Sequence, residues 1–228
     1  MLARLTEGVG STTLAIGETH MYQKEAIEKL VAQILDGTEL HLAVDSLSLN
    51  ENLETNRVLL RCAVHDQRTG APQVIDGEGV GIVDAFFHGL VSLYAAQFPS
   101  LRTVRFADFS LRANLDSAKE SAKSDSNAEV TLRIANSDGR EFPFSHTSPS
   151  ITRSAVSATL DAVAFFINSE RAFIDVYRAL QHARQQDRPD SVQLYTAQLA
   201  TLVEATSYSD VIAQIRESEL RETGSGLT

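Results

Sequence analysis

The chain has 228 residues, 43% of them hydrophobic, with 30 acidic against 20 basic side chains, a formal charge of −10 and one cysteine. That length holds one substantial core or two small domains, and no apolar run reaches the ~20 residues that span a bilayer. An acidic surface repels phosphate backbones, so neither nucleic acid nor membrane is an expected partner, and the lone cysteine excludes an internal disulfide and fits a reducing, cytoplasmic setting.

Residues 1–19, with Gly8, Gly10 and Gly17, carry little pattern. Thr19 can cap a helix from about His20 to Leu35, because Ile27, Leu30, Val31 and Ile34 recur at helical spacing and Asp36-Gly37 supplies a stop. Residues 1–37 are therefore read as a lead-in and one helix. From Leu40 the period changes to two. Strands are expected over Leu40–Asn50 and Val58–Asp66, where Leu60, Cys62 and Val64 share a face opposite Arg61. The turn Arg68-Thr69-Gly70 leads into a third strand, and the loop Gly77-Glu78-Gly79-Val80-Gly81 opens a helix. Val83, Phe86, Phe87, Leu90, Val91, Leu93 and Tyr94 give that helix a broad apolar face, and Phe98-Pro99 ends it.

The same order then recurs. A strand over Val104–Asn114 matches the first one, Leu42 with Phe106, Ser46 with Ser110, Leu47 with Leu111 and Asn50 with Asn114. A polar segment, Asp116–Ser126, reads as a mobile loop. Ala128–Asn136 alternates as Val58–Asp66 does, Ser137-Asp138-Gly139 turns, and Thr147-Ser148-Pro149-Ser150-Ile151 opens a second helix. This pattern predicts an α+β fold of two pseudo-symmetric βββα units, over residues 38–170, with helices packed on antiparallel sheets. Residues 171–228 read as a helical tail, with stripes at Phe173, Val176, Tyr177 and Leu180, then, after Pro189, at Tyr195, Leu199, Leu202 and Val203, and finally at Val211, Ile212 and Ile215. Asp190 or Ser191 can cap the middle helix of this tail.

Catalytic signatures are missing from the sequence. The six histidines are scattered without metal-ligand spacing, no nucleophile–base pattern emerges, and Cys62 alternates inward as a core residue. No cofactor motif is present: the glycine loop departs from the dinucleotide fingerprint, whose third glycine follows two intervening residues.

The run Asp76-Gly77-Glu78-Gly79-Val80-Gly81-Ile82-Val83-Asp84-Ala85 resembles a segment of a known regulatory domain, the C-terminal allosteric, dimerising domain of 2-isopropylmalate synthase and citramalate synthase. The similarity continues through Val104–Asn114, Ser126-Asn127-Ala128-Glu129-Val130 and Ser148-Pro149-Ser150-Ile151. It implies a homodimer of two βββα units that binds leucine or isoleucine as feedback effector, with a separate synthase subunit as a possible partner. Asn127 stands where the family usually has an acidic residue, and Pro149 interrupts the second helix start. No barrel-sized catalytic segment precedes residue 38, so a non-catalytic regulatory chain is expected, either a piece of a larger synthase or a free-standing homologue, with Met1, the N-terminal helix and the helical tail favouring the second.

A helix N-terminus offers unpaired N–H groups and partial positive charge to an effector carboxylate. Gly79, Val80, Gly81 and Ile82 can supply them, as can Ser150 and Ile151, although glycines can equally serve a tight turn. Asp84 fits capping first and gripping an ammonium second, and Asn127 is a further contact for the amino group. Ile82, Val83, Ala128 and Ala155 are the expected side-chain pocket, with the effector lying between the two helix starts. The alternative is an interaction module of the same fold that has lost its ligand.

Overall fold

The computed structural model describes residues 22–113, 127–207, 210–213, 215 and 217. A helix over residues 22–35 (α1) leads into β1 (Leu42–Asn52), β2 (Arg57–Asp66), β3 (Pro72–Gly79) and α2 (Ile82–Tyr94). After a 3-10 turn at Pro99–Arg102 come β4 (Arg105–Ala113), β5 (Ala128–Ala135), β6 (Glu141–Ser148), α3 (Ile151–Gln185) and α4 (Pro189–Leu202). Two three-stranded antiparallel sheets result, ordered β1-β2-β3 and β4-β5-β6. The expected pair of βββα units is present. The expected loop Asp116–Ser126 lies outside the described residues.

Sequence alternation explains the two central strands. Val58, Leu60, Cys62 and Val64 on β2 are buried, as are Ala128, Val130, Leu132 and Ile134 on β5. Turn chemistry repeats with them. Asp66 accepts the N–H groups of Arg68 and Thr69 at 2.8 and 3.3 Å, and Asn136 accepts those of Asp138 and Arg140 at 3.0 and 2.9 Å. Each turn then uses a glycine at positive φ, Gly70 at 69° and Gly139 at 78°. Both first strands also carry a bulge, between Val44 and Ser46 and between Phe106 and Asp108.

Those bulges correct the residue matching between the two copies. Leu47 pairs with Cys62 and Phe109 with Leu132, so Leu47 corresponds to Phe109 and Leu49 to Leu111. The sequence matching is two residues out. A slip of two keeps every side chain on its own face, so alternation alone cannot detect it.

α2 lies over β3 and β2, α3 lies over β6 and β5, and the two helices pack on each other. Phe86, Phe142 and Phe166 are fully buried between these layers, each contributing roughly 1.5–3 kcal/mol. Phe142, Phe165 and Phe166 form an aromatic knot with ring centroids 5.2 to 5.8 Å apart. α1 buries Ile27, Val31 and Leu35 and stops at Asp36 and Gly37, both at positive φ, as its sequence predicts. Lys24 of α1 holds its ammonium 5.0 Å from the centre of the Phe144 ring.

α3 is one unbroken helix of 35 residues. It runs through residue 170, where the sequence reading divides the chain. Inside it sit buried polar groups with partners elsewhere: Asn168 bonds both the N–H and the carbonyl of Leu40, at 2.8 and 3.0 Å. The N-cap of α4 is Arg188, with Pro189 in the first turn, so neither Asp190 nor Ser191 holds that position. Leu202, Val211, Ile212 and Ile215 bring the tail into the same core.

Candidate functional site

The start of α2 is built on close backbone packing. A β-carbon on Gly79 would stand 2.5 Å from the Ala85 nitrogen, and one on Gly77 would stand 2.9 Å from the Ala85 carbonyl carbon. On the helix side, a β-carbon on Gly89 would meet the Asp76 carbonyl oxygen at 2.9 Å. These three glycines let α2 lie backbone to backbone on β3. Gly81 differs: nothing lies within 4 Å of its β-carbon direction, and its φ of −164° is extended. Among the glycines of this loop, Gly81 is the one that opens on free space.

Gly81 gives α2 no side-chain cap. Asp84 in the first turn reaches back and accepts the Val80 N–H at 3.0 Å, one residue before the N-cap, so the first-turn N–H groups themselves gain no side-chain acceptor. Its other oxygen lies 3.6 Å from His88 Nε2, while His88 Nδ1 donates to the Glu78 carbonyl at 3.1 Å.

Unit two solves the same junction with hydroxyls. Ser150 caps α3, its Oγ accepting the Arg153 N–H at 3.2 Å. Ser148 and Ser154 are both buried, their oxygens 2.9 Å apart, and Ser154 donates to the Ala128 carbonyl at 3.0 Å. By register, Ser148 occupies the place of Gly79. A side-chain bridge thus replaces direct backbone contact.

Each helix start faces the bulge of the other unit's first strand. Val80, Gly81, Ile82, Val83 and Asp84 line one open cleft of about 440 Å³ together with Phe106–Phe109 of β4. Phe106 is fixed there edge-on against Phe87 of α2, ring centroids 4.8 Å apart. A second cleft of about 530 Å³ sets Ser150, Arg153 and Val156 against Leu42, Val44 and Leu47 of β1. The sequence reading places one effector between both starts, and the structure instead separates them into two clefts. Each helix leans over its own second and third strands, which carries its first turn toward the neighbouring unit.

Five of the expected site residues, Val80 through Asp84, therefore share the first cleft, and Ser150 lines the second. Gly79 packs behind the first. Asn127, Ala128, Ile151 and Ala155 line neither cleft: Ala128 and Ala155 are core, Ile151 is half exposed and Asn127 is exposed. Sequence reasoning missed Phe106, Asp108 and Phe109. The signal available for them was an acidic residue breaking an otherwise alternating strand in both copies, Asp45 and Asp108.

The first cleft combines an apolar wall, Val80, Val83, Phe106 and Phe109, with the carboxylates of Asp84 and Asp108. Asp108 is only loosely held by Arg133, at 3.8 Å. Such a site suits an apolar body bearing a cationic group, beside helix N–H groups that take a carboxylate. The second cleft mixes Arg153, His146 and Asp161. Cys62 is fully buried, and burial, with Asp45 adding to it, pushes its thiol up to about 11. Among the described residues, no group of three or more His, Cys, Asp or Glu side chains is placed to hold a metal ion. No helix there is long and apolar enough to cross a membrane.

A second surface is left bare. Leu47, Leu49, Phe109 and Leu111 point to the helix-covered side of their sheets, because they pair with buried residues of β2 and β5. The helices reach these first strands only near their bulges, so farther along them Leu49, Phe109 and Leu111 stay 43%, 51% and 45% exposed.

A family model described as the LeuA allosteric (dimerisation) domain matches residues 22–167. The match takes in α1, which the sequence reading leaves outside the regulatory unit. A comparison with curated proteins gives no match.

Proposed function

The chain belongs to the LeuA allosteric (dimerisation) domain family, and from that premise we propose that it senses a branched-chain amino acid as a homodimer. In this reading residues 38–170 form the regulatory unit, with no catalytic role, and a separate synthase subunit is its target. The carrying observation is the cleft at the start of α2. Its apolar wall receives a leucine- or isoleucine-type side chain, the uncapped first turn takes the carboxylate, and Asp84 or Asp108 takes the ammonium.

Dimerisation covers the bare strand faces. Phe109 belongs both to that face and to the cleft, which supports coupling between effector and assembly. An effector biases the dimer only by its differential affinity for two arrangements, typically ~1–3 kcal/mol. Calorimetric titration with leucine, isoleucine and valine tests the reading. A saturable heat is expected with at least one of them. No heat and no thermal shift with any of the three would refute it.

One observation favours the alternative, an interaction module without effector. The second helix start already spends its hydroxyls on itself through Ser148, Ser150 and Ser154, which removes half of a symmetric binding arrangement.

A further inference from the structure

Beyond the family-matched residues the chain adds the end of α3, α4 and a last helical stretch, and a buried acid anchors this addition. Glu170 of α3 is fully buried. Its Oε2 accepts the Ser100 N–H of the 3-10 turn at 2.9 Å, while Oε1 has no partner among the described residues. Ser100, 1% exposed, accepts the Ser207 N–H at its Oγ at 3.2 Å. Ser207 in turn donates to Asp210 at 2.6 Å. Three separate pieces of chain therefore meet around Ser100, which bonds the Glu170 carboxyl of α3 through its N–H and Ser207 of the segment after α4 through its Oγ.

The charges around it do not favour ionisation. Among the described residues of the tail the group acting on Glu170 is Asp210, of like sign, and Glu217 is exposed. The 3-10 turn offers the Ser100 N–H and hydroxyl, while its Arg102 is exposed. On α3 the neighbouring Arg171 is turned toward Asn168 and Thr38. A carboxylate in a dry junction with only the Ser100 N–H and hydroxyl as donors, and no cation beside it among the described residues, is less stable than the neutral acid. Burial, with Asp210 adding to it, pushes Glu170 up to about 7.

We propose that Glu170 is a proton-controlled latch. Protonated, it holds the segment carrying Ser207, Val211, Ile212 and Ile215 against the 3-10 turn and α3; ionised, it weakens that attachment and releases an apolar face. The direction follows from linkage. A released Glu170 titrates near its ordinary 4.5 and a latched one near 7, so the hold is full below the first value and weakens as pH rises toward the second. Opening grows about tenfold per pH unit in that window, on the order of a hundredfold in all, and levels off above it.

A spin label on Ala213→Cys reads the latch directly, since Ala213 is exposed and the buried Cys62 stays unlabelled. Its mobility is compared from about pH 5 to about pH 8 in the full chain, with Glu170 intact and with Glu170→Gln. The expected result is a mobile fraction that grows and then levels off with Glu170, and that is constant with Glu170→Gln. Mobility independent of pH, or equally dependent on it in both proteins, overturns the latch. Should Glu170→Gln fail to fold, the carbon-13 shift of the Glu170 carboxyl in the unmutated chain decides. A midpoint near 7 supports the latch and one near 4.5 overturns it.

Discussion

Replacing Gly79 by alanine and replacing Gly81 by alanine should have opposite effects on stability. At Gly79 the new methyl would stand 2.5 Å from the Ala85 nitrogen and 2.9 Å from its Cα. That is roughly 1 Å inside ordinary carbon contact distance. Both neighbours are backbone and cannot rotate away, so α2 must lift from β3 and loosen the packing of Phe86 and Leu90. Overpacking costs ~1–3 kcal/mol, and rigid neighbours place this case near about 3. The smaller unfolded-state entropy of alanine offsets about 0.4–1 kcal/mol. The net loss is about 2 kcal/mol, or a melting temperature lower by roughly 4–8 °C for a chain of this size. At Gly81 no atom lies within 4 Å and φ is extended, so only the entropic gain remains. Thermal and urea unfolding followed by circular dichroism would read both. Equal stability of the two variants would refute the claim that Gly79 is a packing glycine and Gly81 an open one. The same Gly81→Ala protein, stable but with a methyl in the cleft, should bind leucine more weakly in calorimetry than the unmutated chain.

Two further outcomes follow from burial and exposure. With its thiol pushed up to about 11, Cys62 holds about one part in a thousand as thiolate at pH 8. Iodoacetamide should therefore leave it unmodified in the native protein and alkylate it in urea; rapid native labelling, read by mass spectrometry, would contradict its core placement. Phe109→Asp combined with Leu111→Asp places charge on the bare β4 face without touching the buried core. Sedimentation should then give a dimer for the unmutated chain and a folded monomer for the double variant, and a dimer persisting in the variant would mean that another surface forms the interface.

Much of this architecture was legible in the residues. Alternation exposed β2 and β5, Asp36-Gly37 marked the end of α1, and the paired turns announced themselves through Gly70 and Gly139. What escaped was tertiary. Asn168, Ser169 and Glu170 look like the polar end of a helix, yet Asn168 serves Leu40 and Glu170 serves Ser100, so α3 continues. The glycine-rich loop revealed that a helix begins there. It could not reveal that Phe106 and Phe109, from the other copy, would form the opposite wall. Period-two patterns fix faces and leave register free, which is why the copies were matched two residues out.

The uninterrupted α3 has a mechanical meaning. At 35 residues it is a rod of about 52 Å whose first turn borders one cleft and whose far end carries α4. Were that first turn tilted by about 5°, Gln185 would swing by roughly 4–5 Å, a lever arm delivering a ligand-sized event to a distant surface.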